Sequence, residues 1–310
     1  NTENAYYYTD LGFYYFSQFQ YQEALDAFSV SLEIEPELLD SLLGMGYSYF
    51  ALEDYESAAD GFQRILEIGV EGYYLLEASY GLGRCQTELI QPAEAIVQYE
   101  TALAIDPSDE SIWIFLLLEH FRSAEFEEIL NRSGEYIENY PETASIYALR
   151  AIAAYMIDQP SVMEEALDKA IAVKQNDVSD LFYTAFALSM VDRFSDAEAV
   201  LLDARQDFPD EELFFTTLVG THLAQKEYDA ALSVIDELRA LSGETKDLLL
   251  SLASVKIEQG DFEAAEAALN DAYAIASNDW EVHNDLAFVY LQQGRNEEAE
   301  IKAREGLALN

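Results

Sequence analysis

Three histidines, one cysteine and 60 carboxylates are the residues of this chain that could do chemistry. A zinc centre needs clustered ligands, but His120, His222 and His283 lie far apart in sequence and read as packed or surface histidines. Cys85 is alone, which excludes an internal disulfide framework. No Gly-rich phosphate loop, nucleophile elbow or His-Glu zinc helix occurs. Carboxylate pairs are frequent, but at this composition they arise by chance and carry little weight as acid–base machinery. The chain therefore reads as non-enzymatic, with no cofactor and no metal. What remains is binding chemistry, and 21 Tyr with 17 Phe supply it.

Charge narrows the partner. Against 60 Asp and Glu stand 16 Lys and Arg, a net charge of −44. Phosphate binding needs Lys and Arg, so nucleic acid is not expected as a direct ligand. Adhesion to an anionic membrane is disfavoured for the same reason. Residues 1–63 hold twelve carboxylates and no Lys or Arg. The longest uncharged apolar run, Ile112 to Leu118, is too short to span a bilayer. Half of the residues are hydrophobic, enough for a continuous core, so the acidity does not mean disorder. It is either a solvated face, an adaptation to salt, or partner selection. No basic segment followed by an apolar one opens the chain, and its first residue is not Met. The compartment stays open: cytoplasmic or, with a processed start, periplasmic or exported.

The elements that must position the aromatics are read from proline and from periodicity. Pro36, Pro107, Pro141 and Pro209 each precede a new amphipathic stretch, and 34 residues separate Pro107 from Pro141. Pro92 and Pro160 sit twice that distance apart, in mid-unit, at the first turn of a second helix where a missing N–H does little harm. Within the first unit, Tyr8, Leu11, Gly12 and Tyr15 share a helical stripe. Ala24, Leu25, Phe28 and Leu32 form a second one, ended by Glu35-Pro36. The template predicts an all-α array of about nine helix-turn-helix units starting near Ala5, Leu39, Leu76, Glu110, Ala144, Val178, Glu212, Lys246 and Trp280. The one long step, of 37 residues, is expected to loosen the connection around Gly69 to Gly72.

These residues carry a resemblance. Tyr8, Leu11-Gly12, Tyr15, Ala24, Phe28 and Pro36 in the first unit, and Leu42, Met45-Gly46, Tyr49, Ala58 and Phe62 in the second, resemble the tetratricopeptide repeat family. A small residue opens the second helix as Ala24, Ala58, Ala95, Ala197, Ala231, Ala265 and Ala299, with Ile129 and Met163 in units four and five. The resemblance implies a single right-handed superhelical solenoid over residues 1–310, with first helices lining a concave face. The last unit stops without a polar capping helix, so the parent protein is expected to continue beyond residue 310 or to dock there.

Five places on each first helix would then face the groove. Over nine units they include eleven aromatics, six acids and, as cations, only Arg84 and Arg122. The residues expected to line a partner-binding groove are Tyr6, Phe13, Phe16, Tyr47, Phe50, Tyr80, Arg84, Phe121, Arg122, Tyr155, Phe182 and Phe186. Units seven to nine look plainer, with Gly220, Leu223, Ile257, Asn284, Phe288 and Leu291 among their groove places. So few cations argue against a clamp on a C-terminal carboxylate. They favour burial of apolar side chains from an extended peptide or helix, with aromatic anchors as hot spots and basic residues flanking the partner's own anchors. An aromatic at such a place can equally pack on the neighbouring repeat. The expected function is a protein-interaction scaffold; the alternative is a regulatory or substrate-recruiting part of a larger enzyme or signalling protein.

Overall fold

The computed structural model describes residues 2–173 and 177–309. Among them are eighteen α-helices and no strand, in nine hairpins. The hairpins are α1 (Thr2–Ser17) with α2 (Tyr21–Ile34), α3 (Leu39–Ala51) with α4 (Tyr55–Ile68), and α5 (Tyr73–Glu88) with α6 (Pro92–Leu103). Then come α7 (Glu110–Arg122) with α8 (Phe126–Asn139), α9 (Ala144–Met156) with α10 (Pro160–Ala172), and α11 (Val178–Met190) with α12 (Phe194–Asp207). The last three are α13 (Glu212–Ala224) with α14 (Tyr228–Ser242), α15 (Lys246–Glu258) with α16 (Phe262–Ile275), and α17 (Trp280–Gln292) with α18 (Asn296–Leu309).

Seven first helices begin at the residue the repeat predicts. Two begin a turn earlier, α1 at Thr2 and α5 at Tyr73. The second case corrects the expectation of a loosened connection. Gly69 (φ 79°) ends α4 in the left-handed region and Gly72 (φ 61°) precedes α5. The three extra residues become helix, because three residues are nearly one turn and leave the buried stripe in place.

One turn joins the two helices of every hairpin. A pair of backbone bonds closes it: Phe19 N–H to Phe16 O and Gln20 N–H to Tyr15 O in the first, Gly294 N–H to Leu291 O and Arg295 N–H to Tyr290 O in the last. This is a Schellman closure, and it demands a left-handed residue. Gly260 and Gly294 supply it in the last two hairpins, while Phe19, Glu53, Ile90, Ala124, Asp158, Asp192 and Lys226 supply it in the others at φ of 55–62°. An L-residue there costs about 1–2 kcal/mol, so seven turns are held by the packing around them. In two hairpins a buried histidine adds a brace. His120 Nδ1 meets Glu125 Oε2 at 2.7 Å and His222 Nδ1 meets Glu227 Oε2 at 3.0 Å, each across the turn.

The hairpin cores are filled by complementary sizes. Gly12 faces the Phe28 ring, Gly46 faces Phe62, and Gly83 faces Tyr99. At the same two places the fourth hairpin has the large residue first, Leu117 then Ser133, and the next two have Ala151 then Leu167 and Ala185 then Leu201, all fully buried. Interiors are close-packed, so a small residue on one helix answers a large one on the other. The small residue opening the second helix is buried wherever it is alanine; Ile129 is buried too, whereas Met163 is half-buried. Ala197→Leu should therefore overpack the sixth hairpin and lower stability by about 1–3 kcal/mol. An unchanged melting midpoint would be inconsistent with the site of Ala197.

Packing divides the chain into two compact units: Asn1–Glu142 with Ala153–Pro160, and Thr143–Ile152 with Ser161–Asn310. In the first, Phe62, Ile65, Ala78 and Leu82 belong to one core cluster. In the second, a single cluster runs from Leu181 to Ala299. Cys85 lies fully buried in the first unit, and burial pushes its thiol up to about 12 despite the opposing charge of Arg84. Thiolate is the reactive form, so native protein should resist iodoacetamide and react once unfolded. Rapid native alkylation would contradict this placement.

Candidate functional site

In the first unit most of the expected groove aromatics are already engaged. Tyr47 packs edge-on against Phe62 with ring centroids 5.0 Å apart, and its hydroxyl donates to Glu77 Oε2 at 2.6 Å. Burial first, then that hydrogen bond, pushes the Tyr47 phenol upward. Phe50 meets Tyr55 edge-on, Phe16 meets Tyr21, and Phe121 meets Phe126. Tyr80 contacts Phe115, which stacks on Tyr99 at 5.7 Å. Arg84 lies over Phe50, its guanidinium carbon 4.3 Å from the ring centroid. Arg122 donates to the Thr87 carbonyl at 3.0 Å and stands 3.6 Å from buried Glu119. Thr87 in turn donates to Glu119 Oε1 at 2.7 Å, so the Tyr99 phenol donates to Thr87. Tyr6, Phe13 and Tyr155 remain exposed. Beside the first two, Tyr7, Tyr14 and Phe19 are exposed as well.

The second unit is arranged differently. A cavity of about 450 Å³ opens on the first helices α11 and α13, lined by Phe182, Phe186, Met190 and Leu213 with Gly220 and Ala224. A second, of about 820 Å³, opens over α13, α15 and α17, with Leu223, Ile257, Phe288 and Leu291 among its walls. Both are lined by Gly220 and Ala224, so the two cavities adjoin there along four successive first helices. Gly220 makes that continuity possible: a Cβ built there meets nothing within 4 Å, and any larger side chain would project into the join.

Phe182 and Phe186 stack in parallel, centroids 5.9 Å apart, and form one wall. The cavity's hydroxyls are spent within the protein. Thr216 and Thr217 donate to the Leu213 carbonyl, Thr221 donates to the Thr217 carbonyl, and Ser189 meets Thr221 at 2.9 Å. The larger cavity carries Glu258, Asn284, Asp285 and Lys226. Burial pushes the Asp285 carboxyl upward; the Asn284 side chain opposes this and the charges of Glu281 and Asp279 add to it.

Three family models, each described as a tetratricopeptide repeat, match residues 4–34, 43–110 and 256–301. Together with the nine hairpins in register, this settles the family. The chain is a tetratricopeptide repeat protein.

A crystallised tetratricopeptide repeat protein from Parabacteroides merdae is similar at a TM-score of 0.62 and 14% identity, over 93% of this chain and 99% of that one. YrrB, a TPR protein with an unusual peptide-binding site, is similar at 0.50 and 23%, over 58% and 92% of the two chains. A monomeric IFIT1 mutant solved with Gppp-AAAA is similar at 0.52 and 14%, over 98% and 90%. A search of curated proteins gave no match. At these identities the likeness is one of fold. The TPR fold is in general a protein-interaction fold, and its repeats are typically non-enzymatic scaffolds. Among the described residues no helix of this TPR protein is long and apolar enough to cross a membrane.

Of the expected residues, Phe182 and Phe186 line the smaller of these cavities. Gly220, Leu223, Ile257, Asn284, Phe288 and Leu291 line the groove too, though they belong to the units that look plainest in sequence. Composition by itself favours the aromatic-rich first helices. The sequence offers little to set these places apart, since it does not show which side chains of adjacent helices leave space unfilled.

Proposed function

We infer that this TPR protein is a binding scaffold that takes an apolar segment of a partner protein, as an extended peptide or a helix, on the groove formed by α11, α13, α15 and α17. The observation that carries the reading is the pair of cavities joined at Gly220. Clefts of roughly 300–1,000 Å³ with apolar walls and few polar groups are where ligands bind. The first unit offers less, since Phe16, Tyr47, Phe50, Tyr80 and Phe121 pack on other rings and its two groove cations are held by a ring, a carboxylate and backbone, which leaves exposed aromatics chiefly in its first hairpin. Phosphate-rich ligands are disfavoured: among the described residues lining the two cavities, Lys226 is the only cation. A partner whose apolar anchors are flanked by Lys or Arg suits the surrounding acid, which acts on encounter rate more than on affinity.

The reading is tested by selecting random twelve-residue peptides on the immobilised protein and measuring the selected peptides by fluorescence anisotropy. Phe186→Ser should weaken them at least tenfold, while Leu202→Ser on the exposed face of α12 should leave them unchanged. Equal sensitivity to both, or to neither, would overturn it.

A further inference from the structure

We propose that the groove reads its partner at two points: a bulky apolar side chain enters the cavity at Phe182 and Phe186, and a lysine or arginine about four residues away on the same segment reaches Asp285 and Glu258. This rests on the peptide-binding reading above and adds the chemistry and spacing of the ligand.

The first point follows from what the smaller cavity lacks. Among the described residues no charged side chain lines it, and its threonine and serine hydroxyls already have partners inside the protein. A polar group inserted there would lose water and find little to replace it, at a net cost. An aromatic, leucine or methionine side chain loses nothing and covers Phe182, Phe186 and Met190.

The second point follows from carboxylates left without cations. Elsewhere in this unit acids near bases pair: Asp279 with Lys246 at 2.7 Å, Glu266 with Arg295 at 2.7 Å, Glu305 with Lys302 at 2.8 Å. Among the described residues Asp285 and Glu258 have no such partner, although Lys226 lines the same cavity. Asp285 is half-buried and faces the charges of Glu281 and Asp279, so its surroundings favour an added cation. Phe288 and Leu291 stand in the same wall, both well exposed. They offer an apolar track for the methylenes of a lysine or arginine and a ring face for its charge. A neutral amide at that place would gain neither.

The spacing comes from the helices. Neighbouring first helices lie about 8–10 Å apart. The smaller cavity is centred between α11 and α13 and the larger over α15, one and a half steps along. That is roughly 12–15 Å, or about four residues of extended chain. The acids belong to α15 and α17, so the cation lies on the α17 side of the apolar anchor.

The test uses the same selected peptides. Their sequences should carry an aromatic, Leu or Met with a Lys or Arg about four residues from it in one fixed direction. Replacing that Lys by norleucine, or Arg by citrulline, should cost at least tenfold on the natural protein. On an Asp285→Asn, Glu258→Gln variant the same replacement should cost less than twofold. Neutral replacements that bind the natural protein equally well would overturn the two-point reading. If Phe186→Ser still weakened the peptides in that case, the groove itself would stand. A library that yields no binder would overturn both.

Discussion

Gly44→Ala is expected to destabilise the first unit by about 1–3 kcal/mol, although helix propensity argues the other way. Glycine inside a helix is worse than alanine by about 1 kcal/mol, so on local grounds the substitution should stabilise α3. Tertiary packing reverses the sign. A Cβ at Gly44 would lie less than 3.0 Å from three carbons of the Phe28 ring, which is fully buried and reaches Gly12 of its own hairpin on another side. The ring has nowhere to retreat. Circular dichroism melts of Gly44→Ala should show a lower midpoint, and Phe28→Leu in the same chain should recover part of the loss. A higher midpoint for the single variant would mean that Phe28 is not wedged between the first two hairpins. The loss should be less than additive in the double variant, because the two residues share one contact.

Gly220→Phe is expected to abolish peptide capture while leaving the fold intact. Nothing stands within 4 Å of a Cβ at Gly220, so the new ring enters solvent space at the join of the two cavities. Phenylalanine is also the better helix former by a few tenths of a kcal/mol, so the melting midpoint should hold or rise. Affinity for selected peptides should fall at least tenfold. A folded variant with unchanged affinity would place the binding surface elsewhere, and the exposed aromatics Tyr6, Tyr7, Phe13, Tyr14 and Phe19 of the first hairpin would become the next surface to vary.

Gly44 and Gly220 show what is local and what is not. Both are glycines inside first helices, and neither neighbouring sequence marks one as a wall and the other as an opening. Their difference lies in residues brought up by adjacent helices: a phenylalanine ring in one case, an open face in the other. The same holds for the tyrosines. Tyr47 reads as a groove anchor until Glu77, thirty residues on, accepts its hydroxyl. Arg84 reads as a free cation until Phe50 rises beneath it.

Seven of the nine first-helix starts, the hairpin count and the buried alanines were legible in the residues alone. They depend on short-range rules, the 3.6-residue stripe and the limits of proline, repeated until chance is excluded. The seven left-handed turns at non-glycine residues were not legible, because their strain is met by packing rather than by residue type. Nor was the choice of open face, since a repeat specifies each helix and its immediate contacts while a cavity depends on which side chains from three or four helices leave space unfilled.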